Sequence, residues 1–302
     1  MGFTYIDPID GHNIIKLNIT YYKCNYEDKM EKEKQKERLD ILLVEKGYFQ
    51  TRERAKKNIM AGLVFVDNNR IDKAGNIVNI NSKIVVVGNA IPYVSRGGLK
   101  LEKALKEFSI SVNNKTAIDV GASTGGFTDC LLKGGASSVI SIDVGYGQFA
   151  WELRIDPRVK LMERTNIRLV TTENIGCLCD ICVIDVSFIS LKLVLPVIKN
   201  LIVNNGEVVC LIKPQFEAGR AKVGKNGVVK DPQTHIDVIN TIIGYSNTIG
   251  YSACGLSFSP IKGPKGNIEY LLYLKNTYIA HNSIEIEKTI CEIVNKSHTD
   301  EF

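Results

Sequence analysis

Lys100, Asp185, Lys213 and Glu269 are four ionisable side chains set around a glycine-rich loop, Asp119–Phe127, that reads DVGASTGGF. The loop follows the apolar approach Thr116-Ala117-Ile118, so a strand runs into a tight turn and then a helix. That is the pattern of a cofactor cradle. Glycine lets the backbone come close to a ligand, and a helix start presents unbonded N–H groups. The contacts expected of this cradle come from Asp119, Gly121, Ala122, Ser123, Thr124, Gly125, Gly126 and Phe127. Asp143, with Val144 beside it, follows 24 residues after Asp119 and ends the apolar run Val139–Ile142. A carboxylate there can accept both hydroxyls of a ribose. Two lysines and two further carboxylates at strand ends point to chemistry beside that cofactor.

The loop narrows the choice of cofactor. It lacks G-x-G-x-x-G, because Ser123 stands at the second glycine position, which weakens a nicotinamide or flavin reading. No G-x-x-x-x-G-K-[ST] run is present, which argues against a nucleoside triphosphate loop. An adenosyl ligand without a pyrophosphate fits better, since it needs the ribose carboxylate but less of the phosphate cradle. The bland alternative is a tight turn that only packs a helix on a strand. Cys177-x-Cys179-x-x-Cys182 has no second pair at metal-ligand spacing, and the four histidines form no ligand pair, so no metal is expected.

The elements that must position these residues alternate. Strands are predicted at 116–120, 138–143, 159–162, 180–185, 206–213, 252–258 and 268–274. Helices are predicted at 99–108, 126–134, 147–155, 191–203 and 233–248, the last with Asp231 as cap and Pro232 in its first turn. Such alternation gives an α/β fold with a mostly parallel sheet and helices on both faces. Upstream, Arg38–Lys46 places Leu39, Leu42 and Leu43 on one helical face. Thr51 can cap a helix Arg52–Met60 that carries Arg52, Arg54, Lys56 and Lys57. Short β runs follow at Leu63–Val66, Ile77–Ile80 and Lys83–Val87, with turns at Asp67-Asn68-Asn69 and Gly75-Asn76. The expected organisation is an extension over 1–35, a small α+β domain over 36–88, a linker over 89–94, a catalytic domain over 95–275 and a polar tail over 276–302. Met30 heads the run MEKEKQKERLDILL. Two readings stand for what precedes it: an upstream start, or a genuine extension.

Composition excludes several classes. The chain has 302 residues, is 44% hydrophobic and 24% charged, and has no apolar run near the roughly 18 residues of a membrane span. No signal peptide is visible, and eight irregularly spaced cysteines suit reduced thiols in the cytoplasm. The net charge of +5 is unevenly placed. Residues 36–106 hold 14 Lys/Arg against 7 Asp/Glu, whereas residues 107–302 hold 19 against 20. A basic small module joined to a near-neutral body is expected of a phosphate-binding domain. Gln215–Lys230, with Gly219, Gly224 and Gly227 among Arg220, Lys222, Lys225 and Lys230, reads either as an RNA-facing loop or as a plain solvated one.

The motifs SRGGLKLEKAL, DVGASTGGFTDCLL, SIDVGYGQ, VIDVSFISL and LIKPQFEAG together resemble the TlyA family. Its members are S-adenosylmethionine-dependent rRNA 2′-O-methyltransferases, historically labelled haemolysins. Residues 38–88 resemble the RNA-binding domain first seen in the fourth small-subunit ribosomal protein. The catalytic part is similar to the FtsJ/RrmJ class, which has a Rossmann-like methyltransferase fold and a Lys–Asp–Lys–Glu tetrad. By motif that tetrad falls on Lys100, Asp185, Lys213 and Glu269. The resemblance implies S-adenosylmethionine as cofactor and rRNA within ribosomal subunits as substrate, with cytidine the implied nucleotide. The basic excess over 36–106 points to RNA contacts from Arg38, Arg52, Arg54, Lys57 and Arg96. A ribose hydroxyl is a poor nucleophile until its proton leaves, so a lysine that holds the developing alkoxide helps. The implied roles make Lys213 central, with Asp185 and Glu269 orienting it and Lys100 on the ribose or its phosphate. Two other classes remain as contrasts: a non-catalytic ribosome assembly factor, and a pore-forming haemolysin.

Overall fold

The fold is that of a computed structural model, which describes residues 35–49, 51–87, 92–263, 265–277 and 283–299, with the side chains of 283–287 left out. Residues 1–34 lie outside the described residues, and with them the question of Met30. The linker read over 89–94 lies partly outside them. Two compact units divide the chain, Met1–Ala90 and Ile91–Phe302.

In the first unit, β1 (Lys36–Arg38) leads into α1 (Leu39–Glu45) and α2 (Arg52–Met60). Four short strands follow: β2 (Val64–Val66), β3 (Asn69–Ile71), β4 (Ile77–Asn79) and β5 (Ile84–Val86). The apolar stripe of α1 buries Leu39, Leu42 and Leu43 against Ala55 and Ile59 of α2 and Val64 of β2. Thr51 caps α2 by accepting a hydrogen bond from the Arg54 N–H. β3, β2 and β5 form an antiparallel sheet, and β1 pairs with β4. The turn between β2 and β3 is two residues long, Asp67 and Asn68, both at positive φ. Their side chains tolerate that backbone region, which matches the twist of a tight hairpin. Asn69 therefore opens a strand instead of closing the turn, and Asn69–Ile71 is a strand that periodicity alone did not expose.

The second unit begins with α3 (Gly97–Glu107), then β6 (Thr116–Val120), α4 (Gly126–Lys133), β7 (Ser138–Ile142), α5 (Trp151–Arg154) and β8 (Val159–Met162). It continues through α6 (Thr172–Ile175), β9 (Cys179–Ile184), α7 (Leu191–Lys199), β10 (Ile202–Ile212) and α8 (Pro214–Glu217). It ends with α9 (Pro232–Thr248), β11 (Ser252–Phe258), β12 (Tyr270–Lys275) and α10 (Ser283–Thr299). The sheet order is β11-β12-β10-β9-β6-β7-β8. β8, β7, β6, β9 and β10 are mutually parallel, while β12 is antiparallel to both its neighbours. Strand residues alternate between the two faces. Ile181 and Val183 join Leu101, Phe127 and Leu131 on one side, while Cys182 and Ile184 join Leu195, Ile239 and Tyr251 on the other. Both faces are thus buried under helices, as a parallel sheet requires. This is the doubly wound, Rossmann-like α/β fold.

Four elements depart from the pattern read in the sequence. The helix at 147–155 shrinks to the four residues of α5, and the helix from Leu191 stops at Lys199. β10 then starts at Ile202, and its pairing with β9 shifts register before Glu207, around Asn205 at φ 62. The segment set apart as a tail folds back as α10, against α9 and β11, with Ile290 and Val294 in the main core. Ile290→Ala should therefore lower the unfolding free energy by about 2–4 kcal/mol in urea denaturation. A residue on a loose tail would leave the midpoint unchanged.

Candidate active site

Three of the four ionisable residues meet because of strand order. Asp185 immediately follows β9, Lys213 immediately follows β10, and Glu269 immediately precedes β12. β9 and β10 are parallel and β12 is antiparallel beside them, so two strand ends and one strand start fall on the same edge. That edge is where an open α/β sheet binds ligands, next to the point where strand order reverses at β6. Lys100 enters from the buried side of α3.

The result is a closed ionic cluster. Lys100 Nζ donates to Glu269 Oε2 at 2.6 Å and to Asp185 Oδ2 at 3.3 Å. Lys213 Nζ pairs with Asp185 Oδ1 at 2.5 Å and donates to Ser187 Oγ at 3.1 Å. The relative exposures are 7% for each lysine and 1% for Glu269. Two ammonium groups and two carboxylates sum to zero, which is what makes such burial tolerable. Burial opposes the charge on Lys100, but Asp185 and Glu269 overcome it and raise its pKa. Burial likewise opposes the charge on Asp185, and the two lysines overcome it and hold its pKa down. One expected role changes. Glu269 holds Lys100, not Lys213, because its carboxylate reaches the lysine of α3 from the start of β12. Asp185 alone bridges both lysines.

The glycine-rich loop lies against this cluster. Gly121 has φ +84, and a Cβ there would stand 2.6 Å from the Asp185 carbonyl oxygen. Gly125 has φ +92, and a Cβ on Gly126 would meet Ser95 Oγ at 2.3 Å. Asp143 accepts the Ser123 N–H at 2.7 Å and the Gly145 N–H at 2.6 Å, one on each oxygen. Each oxygen keeps lone-pair capacity for a ribose hydroxyl. A shallow surface depression lies beside Asp143, lined by Ser123, Tyr146, Gln148, Phe149 and Glu163 among others. Val144 is exposed, whereas the side chains of Ala122 and Phe127 are core, so those two positions can offer a ligand only backbone. Thr124 accepts the Ala150 N–H on its carbonyl. Asp119 is also withdrawn. Its carboxylate is fully buried, accepts from Thr128 Oγ1 at 2.6 Å, and has no partner on Oδ1 among the described residues. It ties the start of α4 to β6 from beneath.

Several residues at this edge carried a motif but no expected role. Phe188 has φ +63 and is 90% exposed, with its ring 4.9 Å from that of Phe216. Phe216 in turn has Lys213 Nζ 5.9 Å from its ring centre. Glu217 accepts from Ser190 Oγ at 2.6 Å and from Leu191 N–H at 2.8 Å, which fastens the loop after β9 to the helix after β10. Cys179 and Cys182 pack in the core.

The small unit organises its cations differently. Arg38 and Arg52 both pair with buried Asp40 at 2.9 Å, and their guanidiniums depress its pKa to about 2. The trio carries a net +1, so these arginines are held in place at the cost of part of their charge. Arg54 is exposed and Lys57 half-buried on α2. Arg96 belongs to the second unit, at the N-cap of α3.

Residues 93–276 match the FtsJ-like methyltransferases, and residues 37–84 match the S4 domain. The first match spans more than half of the chain. The chain belongs to the FtsJ-like methyltransferase family. It is 52% identical over 265 residues to YqxC of Bacillus subtilis, across 87% of this chain and 94% of that protein. It is 43% identical over 239 residues to the 16S/23S rRNA (cytidine-2′-O)-methyltransferase TlyA of Mycobacterium tuberculosis, across 79% of this chain and 89% of that one. A solved structure of a hemolysin-named protein from Streptococcus thermophilus is similar at TM-score 0.70 and 45% identity, covering 87% of this chain and 96% of that chain. The resemblance read from the motifs therefore holds. In this FtsJ-like methyltransferase the loop, the cluster and the depression occupy one edge of one sheet.

Asp119 supplies a test of this packing. Burial pushes its carboxyl up to about 7, while in the unfolded chain it ionises near pH 4. Between those values the unfolded chain releases a proton that the folded chain retains, so stability falls as pH rises from about 4 to 7. Asp119→Asn removes that loss. Its stability relative to the wild type, measured by urea denaturation, should be near zero at pH 4 and greatest above pH 7. A difference independent of pH would contradict the burial of a protonated Asp119.

Proposed function

We propose that this protein is an S-adenosylmethionine-dependent ribose 2′-O-methyltransferase of rRNA, with cytidine the modified nucleotide as in the relative named for that reaction. The observation that carries the reading is the Lys100–Asp185–Lys213–Glu269 cluster beside the glycine-rich loop. The residues present suit an adenosyl group. Gly121, Gly125 and Gly126 leave the loop without side chains where it is crowded, and Asp143 faces a shallow depression with acceptor capacity for ribose hydroxyls. When bound, S-adenosylmethionine supplies a methyl group on a positively charged sulfur, which needs alignment more than activation.

The chain supplies the rest. Lys213 Nζ has three donors, of which Asp185 and Ser187 take two. The remaining donor can hold the attacking 2′-oxygen and stabilise the negative charge that grows as the hydroxyl proton passes to solvent water. Asp185 fixes that nitrogen by its bridge to Lys100, and Glu269 keeps Lys100 charged and in place. Lys100 then acts as a fixed positive charge beneath the site. Phe188, exposed next to the Phe216 ring that Lys213 approaches, offers a flat face on which an unstacked base can lie. The organisation we propose follows the expected boundaries: 36–88 as RNA anchor, 95–275 for the chemistry, with Arg38, Arg52, Arg54, Lys57 and Arg96 on RNA. Such a substrate puts the protein in the cytoplasm. The haemolysin label has less support, since among the described residues no helix is long and apolar enough to cross a membrane.

Lys213→Ala should slow single-turnover methyl transfer to ribosomal subunits by about 10²–10⁴-fold. The calorimetric affinity for S-adenosylmethionine should stay within about threefold, because the lysine serves the hydroxyl and not the donor. A near-normal single-turnover rate would remove Lys213 from the central role.

A further inference from the structure

The near-neutral charge of residues 107–302 conceals a local excess in two segments that adjoin the cluster along the chain. Residues 218–230 contain Arg220, Lys222, Lys225 and Lys230 and no acid. Residues 259–268 contain Lys262 and Lys265 and no acid. All six cations are exposed. The first segment leaves the site from Lys213 through α8, and the second enters it at Glu269. The second also touches the site directly: a Cβ on Gly263 would lie 2.6 Å from Glu269 Oε1.

Like charges on neighbouring loops repel, yet these loops are joined. Asn267, 4% exposed, accepts the Val229 N–H on Oδ1 at 3.1 Å and donates from Nδ2 to the Gly227 carbonyl at 2.9 Å. Its own carbonyl accepts the Gly263 N–H at 2.9 Å. One residue therefore holds both turns, its side chain tying the first loop to the second and its backbone closing the second, two residues before Glu269. Lys265 lies across Gly227, whose φ is +74; a Cβ there would sit 3.2 Å from the lysine nitrogen. On the far side, Lys222 pairs with Asp237 of α9 at 3.0 Å, and His235 of α9 meets the Val229 carbonyl at 3.0 Å. Both anchor the first loop to the rigid body of the unit. Concentrated positive charge, held in shape by buried hydrogen bonds next to a net-neutral reaction centre, calls for an anionic partner at that place.

We infer that these two loops, stapled by Asn267, form a second RNA surface that grips the phosphates flanking the target ribose. The inference rests on the proposed RNA substrate. The small unit supplies distant affinity, while this surface fixes the strand whose 2′-hydroxyl must meet Lys213. Backbone contacts position a strand without reading its bases. Asn267 is a positioning residue, acting through the loops it joins.

The test uses the full-length protein and purified ribosomal subunits, with binding measured across a salt series. Lys225→Glu combined with Lys265→Glu should weaken binding by roughly tenfold or more. It should also make the plot of log affinity against log salt shallower by about 2, near one for each phosphate no longer neutralised. S-adenosylmethionine affinity should be unchanged. Asn267→Ala keeps all six cations, so it should lower affinity severalfold with the salt slope retained; a simple removal of charge would not give that pattern. Wild-type affinity and slope in the double variant would overturn the surface. Wild-type affinity in a folded Asn267→Ala would overturn the staple. A wild-type protein that transfers no methyl group yet shows the same charge-dependent binding would refute the proposed reaction and uphold this surface.

Discussion

The carboxylate of Asp185 lies between two buried lysines, and the rest of the site depends on it. It takes Lys100 on one oxygen and Lys213 on the other. Without it two ammonium groups would face each other in a place that excludes most water. Removing one partner from such a buried set leaves an uncompensated charge, which costs about 3–5 kcal/mol. With it, and with Glu269 on Lys100, the set is neutral and each lysine is held at a defined point. The same residue supports the cradle, since its carbonyl is the atom that forbids a side chain at Gly121. Glycine-rich loop and ionic cluster are thus built on one backbone position.

Sheet topology makes that arrangement possible. Parallel strands bring their C-terminal ends to one edge, which delivers the loop after β6, Asp185 after β9 and Lys213 after β10. A carboxylate from the start of a strand can join them only if that strand runs the other way. β12 does so beside β10, and so Glu269 arrives where Lys100 can reach it. Two further bonds stiffen the edge. Ser187 accepts from Lys213, and Glu217 fastens the loop after β9 to the helix after β10. The two basic loops leave from this same edge, so the charge they carry is set at the mouth of the site and not dispersed over the unit.

Much of this was legible in the residues. Apolar runs of five or six residues ending in Asp, Lys or a glycine turn predict strand ends, and chemistry at strand ends follows from strand order. Individual pairings were not legible, because they depend on which side chain reaches across a gap between distant segments. That is why Glu269 was expected on Lys213 and lies on Lys100. Asp119 read as a ligand contact, yet Thr128, nine residues on, draws its carboxylate inward. α10 read as tail because its apolar positions are few, but Ile290 and Val294 are enough to bury one face once α9 and β11 provide a groove. The exposure of Phe188 could not be seen either, since an apolar residue in VSFISL reads as core. Asp40, in turn, hid the real state of Arg38 and Arg52, which a charge count treats as unpaired.

The central claim is that the cluster directs a methyl group to a ribose oxygen. Ribosomal subunits would be incubated with the protein and S-adenosylmethionine labelled on its methyl carbon. The rRNA would then be digested to nucleosides and the label located by mass spectrometry. The account predicts label on the sugar of a 2′-O-methylated nucleoside, with the adjoining phosphodiester resistant to alkali. Label on a base, or none on rRNA in the presence of bound cofactor, would contradict it.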